Sequence, residues 1–144
     1  MTYTTIESIA TGNPPLRKSQ PEAAEFMTQI ESLPEPLRNR LPAIYRGSAI
    51  ENRYSCVSDY GEDDPDAFSF FPPTWKLEPA PSTKERNERY REAAIPLAED
   101  VSERALRQSG VDAADITHVG AASCTGFFAP GLDVEIVKCV CLPP

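Results

Sequence analysis

The stretch Ile116–Val140 constrains the chain most, because it changes periodicity once and sharply. Ile116 to Ser123 carries β-branched and small residues without an acid or a base other than Asp115 before it and His118 within it, the composition of a strand buried on both faces. Thr125, Gly126, Pro130 and Gly131 then break the chain, and Leu132, Val134, Ile136, Val137 and Val140 follow at helical spacing. Asp133 and Glu135 sit in the first turn of that helix, where its dipole favours negative charge. Strand, glycine turn and helix in that order make the first half of a βαβ unit and predict an α/β layered domain.

Upstream, each segment has its own punctuation. Thr4 to Ala10 is rich in β-branched residues and predicts a first strand, closed by Gly12, Asn13, Pro14 and Pro15. Ser19 is placed to cap a helix, with Pro21 near its first position and Glu22 at the capping-box position; Ala24, Phe26, Met27 and Ile30 form its apolar side. A second helix is expected from Glu35 to Tyr45, with Leu37, Leu41 and Ile44 inward and Arg38, Arg40 and Arg46 outward. Ile50 to Val57 alternates as a strand, in which Arg53 reads as a structural ion-pair residue. From Asp59 to Pro81 prolines, acids and aromatics alternate too closely for one helix or strand. Asp63, Asp64 and Asp66 lack the glycine and distal glutamate of a calcium loop, so a solvated loop anchored by aromatics is expected. Ser82 to Glu85 forms a second capping box and opens the longest helix, in which Tyr90, Ala94, Leu97, Val101 and Ala105 face inward, Pro96 removes one hydrogen bond and Gly110 caps the end.

The chain has 144 residues, enough for one domain with a real core. Its 15 prolines, about twice the usual share of roughly 5%, predict long irregular connections. A formal charge of -8 argues against a nucleic-acid partner, which needs clustered Lys and Arg. The N-terminus lacks a basic and an apolar signal region and no run is long enough to span a bilayer, so no membrane is expected and a cytoplasmic location is inferred. Four cysteines at 56, 124, 139 and 141 do not make a spaced disulfide framework.

Catalytic candidates are few. His118 is the single histidine. In an extended strand Cys124 would lie roughly 20 Å from it, outside hydrogen-bond reach. His118 therefore reads as a polar residue near a strand start. Cys139 and Cys141 lack a second pair for a zinc site and read as free helix-end cysteines, with no metal expected. Gly120, Gly126 and Gly131 match neither dinucleotide nor phosphate-loop spacing. These residues by themselves build wall, not a site.

A resemblance carries the reading further. SCTGFFAPG at Ser123–Gly131 with the following LDVEIVK is similar to the corresponding segment of type III polyketide synthases, the chalcone/stilbene synthase-like branch of the thiolase superfamily. IATGNPP near the start, IENRYS at Ile50, FFPPTWKLEPAPST at Phe70 and ITHV at Ile116 match in the same order, so the resemblance covers nearly the whole chain. It implies an α/β fold, the incomplete N-terminal half of a thiolase-like layered fold, with residues 1–144 truncated before the catalytic cysteine. It also implies an acyltransferase that condenses an acyl-CoA starter with malonyl-CoA, as a homodimer in the complete enzyme and without a cofactor of its own. The family's Cys, His and Asn are not matched here, so no residue of this chain is expected to be catalytic. Cys124, Thr125 and Phe127 match the wall of the acyl cavity, and Arg40 and Arg46 lie at or beside basic positions that meet coenzyme A. The alternatives are a fragment of a ketoacyl carrier-protein synthase of the third type, or a non-catalytic remnant that binds a full-length paralogue.

Overall fold

The computed structural model describes residues 3–140, and the chain divides into two compact units, one of residues 14–83 and one formed by the residues before 14 with those after 83. Cys141, one of the sequence-expected helix-end cysteines, lies outside the described residues.

The unit of residues 14–83 begins with strand β1, Leu16–Ser19, which runs straight into helix α1, Gln20–Gln29. The capping box expected at Ser19 is formed: its hydroxyl accepts from Glu22 N at 3.4 Å, and Glu22 Oε2 accepts from Ser19 N at 2.7 Å. Ser19 thus serves twice, as the last residue of β1 and the cap of α1. Helix α2, Glu35–Gly47, is followed by strand β2, Asn52–Ser55, and β1 and β2 pair antiparallel in the register Leu16↔Ser55, Arg17↔Tyr54, Lys18↔Arg53, Ser19↔Asn52.

The inner face of α2 is not the one expected. Leu41 is buried, but Leu37 and Ile44 are 42% and 55% exposed. The covered positions are Arg38, Leu41, Pro42 and Tyr45, an i, i+3, i+4, i+7 stripe rotated from the predicted one. Two interactions explain the rotation. Gln20 Nε2 donates to Tyr45 O at 3.1 Å, and the Arg53 guanidinium lies 4.7 Å from the centroid of the Tyr45 ring. Arg53 is structural, as expected, but through a hydrogen bond to Gln20 Oε1 (2.8 Å) and this ring contact rather than an ion pair.

The core of this unit is aromatic. Phe26 meets Tyr60 and Trp75 edge-on at centroid distances of 5.0 and 5.3 Å, and Phe68 meets Trp75 at 5.3 Å. The Pro-rich loop therefore supplies half of the core, and its short 3₁₀ turns at Ser58–Gly61 and Pro65–Ala67 give it local order. Asp64 caps the second turn through Asp66 N at 3.0 Å, whereas Asp63 and Asp64 remain exposed.

Asp59 is the fastening. It is 0% exposed, yet its carboxylate accepts from Ser69 N (3.0 Å), Ser69 Oγ (2.9 Å), Phe70 N (2.8 Å) and Phe71 N (2.7 Å). Burial alone pushes the Asp59 pKa up, but the hydrogen bonds from Phe71, Ser69 and Phe70 together outweigh it and hold the carboxyl below its ordinary value.

In the other unit helix α3, Thr83–Ser109, runs 27 residues with Pro96 inside it. It starts immediately after Ser82 and gives way to Gly110 at φ +68°, as its sequence signals predict. Residues 3–13 lie along α3: Ser8 Oγ donates to Ala105 O at 2.8 Å, and Arg104 Nη2 donates to Thr11 O at 2.7 Å. Helix α4, Leu132–Cys139, forms where expected, with Gly131 as its N-cap.

Two expected strands are absent among the described residues. Thr4–Ala10 and Ile116–Ser123 are irregular and largely exposed. Their composition suits a ladder, but a strand exists only with a hydrogen-bonded neighbour, and the sheet of β1 and β2 is the one formed among the described residues. No helix among the described residues is long and apolar enough to cross a membrane.

Candidate functional site

Two clusters hold the residues singled out from sequence, one in each unit. The first is α2 with what braces it. Arg40 and Arg46 are both exposed. Six residues of helix separate them by about 9 Å along the axis and about 120° around it, so they leave the helix in different directions. Arg46 stands in the last turn of α2, where the helix dipole favours a cation, and it borders an open groove of about 470 Å³ with Ala24, Glu25, Thr28, Pro42 and Tyr45.

Gln20 fixes this end of α2. It is 5% exposed, and Nε2 donates to Tyr45 O and to Ser48 Oγ while Oε1 accepts from Arg53 Nε. Tyr45 and Ser48 flank Arg46 in sequence, so the clamp sets the backbone from which the Arg46 side chain leaves. Gln20 was not visible as a site residue from sequence; a polar residue directly after a cap, where α1 turns its first face toward α2, was the available signal.

The second cluster is the loop Ser123–Gly131. Phe127 N donates to Asn87 Oδ1 at 3.2 Å, the Phe128 ring lies 6.1 Å from that of Tyr90, and the Arg91 guanidinium lies 5.5 Å from the Phe128 centroid. Asn87, Tyr90 and Arg91 share one face of α3 at i, i+3, i+4 and together seat the loop. Gly126 is required here: a Cβ at this position would lie 2.8 Å from Tyr90 Cβ. Phe127 is 75% exposed and borders a shallow cavity of about 220 Å³ with Tyr90, Ser123, Phe128, Leu132 and Asp133. Cys124 and Thr125 are exposed on the same loop. Nothing in the sequence distinguishes Asn87, because its partner on the loop lies 40 residues away.

No nucleophile and base meet among the described residues. His118 is exposed and its Nδ1 shares a hydrogen bond with Thr117 Oγ1 at 2.9 Å, not with a cysteine. The Cys139 thiol donates to Glu103 Oε1 at 3.5 Å. No group of three or more His, Cys, Asp or Glu residues converges for a metal ion among the described residues. The clusters present two exposed guanidinium groups on α2 and an exposed aromatic loop on α3, and no Cys–His pair meets in either among the described residues.

No protein-family model matches the chain. It is 39% identical over 99% of its length to the alpha-pyrone synthesis polyketide synthase-like Pks18 of Mycobacterium tuberculosis, of which it covers 34%. It is 32% identical over 72% of its length to the acylalkylpyrone synthase csyB of Aspergillus oryzae, covering 23% of that protein. The structure of PKS-I from the brown alga Ectocarpus siliculosus matches 95% of this chain with a TM-score of 0.75 at 33% identity, over 36% of its own length. The chain therefore spans about a third, or less, of the relatives it matches. Its sequence and fold are similar to a portion of these proteins, and the α/β class expected from the sequence agrees with its mixed helices and strands.

Proposed function

We propose that this chain is the N-terminal portion of a type III polyketide synthase, whose part is to receive a coenzyme A thioester and shape the acyl cavity while the bond-making residues belong to the rest of the enzyme. The likeness to Pks18 along almost the entire chain carries this reading. In the complete enzyme an acyl group passes from coenzyme A to a cysteine thiol. Malonyl-CoA then loses carbon dioxide, and its carbanion attacks the bound thioester. The thiol and its His and Asn partners fall to the length of the relatives that this chain does not span. The exposed His118, hydrogen-bonded to Thr117, fits that assignment.

Arg40 and Arg46 are the groups for coenzyme A phosphates, since a guanidinium presents several donors in a plane and remains charged at any working pH. Cys124, Thr125 and Phe127 are assigned to the acyl-cavity wall of the complete enzyme; of the three, Phe127 borders a cavity within this chain, while Cys124 and Thr125 are exposed beside it. Residues 1–144 are the first part of a chalcone/stilbene synthase-like domain, the complete enzyme is a homodimer in the cytoplasm, and its substrates are acyl-CoA and malonyl-CoA. Titration of the chain with coenzyme A and with its dephospho form, followed by calorimetry, tests the basic face. Arg40→Ala and Arg46→Ala should each weaken coenzyme A binding about fivefold, the scale of one exposed charge-assisted contact. Unchanged affinity in both variants rejects the assignment.

A further inference from the structure

The β1–β2 ribbon holds a second cationic pair that the coenzyme A reading does not use. Lys18 stands directly opposite Arg53 in the ladder. Directly opposed residues of an antiparallel pair project to the same face about 4.5–5.5 Å apart at Cβ, and two like charges there oppose pairing. The chain contains 22 Asp and Glu residues, yet no ion pair reaches Lys18 or Arg53 among the described residues. Glu22 feels the charge of Lys18, but its Oε2 is held by Ser19 N at 2.7 Å.

Arg53 is pinned without being neutralised. Its Nε donates to Gln20 Oε1 at 2.8 Å and its plane rests on Tyr45 at 4.7 Å, and the terminal nitrogens of the fork have no acceptor among the described residues. Lys18 and Arg53 both border a cavity of about 360 Å³ whose remaining walls include Phe26, Met27, Tyr45 and Tyr60. The site thus joins a fixed, open guanidinium fork, an ammonium across the ladder and an aromatic wall.

We propose that this cavity binds an organic carboxylate, with its two oxygens on Arg53 and Lys18 and an apolar or aromatic body against Phe26, Tyr45 and Tyr60. A planar two-oxygen anion matches the fork, and the wall rewards a body that a free inorganic anion lacks. The site relieves a repulsion already built into the ribbon, so occupancy stabilises the unit of residues 14–83.

The test is an amide NMR titration of the full chain with phenylacetate, with the neutral phenylacetamide and with inorganic phosphate at matched ionic strength. Phenylacetate should shift the amides of residues 16–18 and 53–55 saturably, with phenylacetamide at least about tenfold weaker. Lys18→Glu turns the repulsive pair into an attractive one. It should raise the melting temperature without ligand while weakening phenylacetate at least about fivefold, and Lys18→Gln, which removes the repulsion without adding an attraction, should weaken phenylacetate with a smaller rise. Equal binding of acid and amide overturns the proposal. So do phosphate shifts that match those of phenylacetate, which mean an adventitious ion only, and a Lys18→Glu variant that melts lower or binds unchanged.

Discussion

Replacing Asp59 with asparagine keeps shape and volume while exchanging one carboxylate oxygen for an amino group. In the folded chain one oxygen of Asp59 takes Ser69 N and Ser69 Oγ, and the other takes Phe70 N and Phe71 N. The best asparagine rotamer keeps its oxygen on Phe70 and Phe71 and turns its amino group toward Ser69. There the hydroxyl can reverse and accept, but Ser69 N is left facing a donor. One orphaned buried N–H costs about 1–3 kcal/mol, and the surviving bonds lose their charge assistance, so a total of about 3 kcal/mol follows. Asp59→Ala strands three amides and a hydroxyl and should lose about 5 kcal/mol. Urea unfolding followed through Trp75, which packs on Phe26 and Phe68, reads both values.

The pH dependence has a fixed sign. The folded-state pKa of Asp59 is depressed, so its stabilisation is present above the ordinary value of 3.8 and is lost as pH falls through that value toward the folded one. The wild-type advantage over Asp59→Asn should therefore shrink on acidification below about pH 4 and be constant near neutrality. An asparagine variant within about 0.5 kcal/mol of wild type, or a difference indifferent to acid, refutes the fastening role.

Further outcomes separate sterics from backbone strain and local capping from packing. Gly126→Ala drives a methyl into Tyr90 and should lose about 1–3 kcal/mol together with the Tyr90–Phe128 ring contact, seen as altered ring shifts in NMR. Gly110→Ala meets open space but keeps φ at +68°, so thermal unfolding should report about 1 kcal/mol and no change at those rings. Ser19→Ala removes the cap of α1 and should lose about 1 kcal/mol, with faster hydrogen exchange at Glu22.

What was legible in the sequence was what neighbours along the chain decide. The Ser19–Glu22 box, the start of α3 after Ser82, Gly110 and the Gly131–Cys139 turn and helix depend on residues within one or two turns, and all stand where expected. Thr4–Ala10 and Ile116–Ser123 failed because ladder formation depends on a distant partner that composition cannot supply. β1 is not legible because its last residue, Ser19, also caps α1, so the capping signal masks the end of the strand. The face of α2 was misread because Tyr45 and Pro42 turn inward for reasons that lie on Gln20 and Arg53. Asp59 looked like its exposed neighbours Asp63 and Asp64, and only the return of Ser69–Phe71 distinguishes it. For the candidate site, Phe127 and Arg46 border cavities, whereas Asn87 and Gln20, which hold the two clusters in place, emerge from packing alone.

The central claim is that this chain receives and encloses a substrate without performing the chemistry. Incubating it with malonyl-CoA labelled in the free carboxyl group and with a medium-chain acyl-CoA, then measuring released carbon dioxide and the intact mass of the protein, tests that directly. The account predicts no release above the protein-free rate and no acyl adduct on any of the chain's four cysteines. Catalytic decarboxylation, or an acyl group carried on one of those thiols, contradicts it.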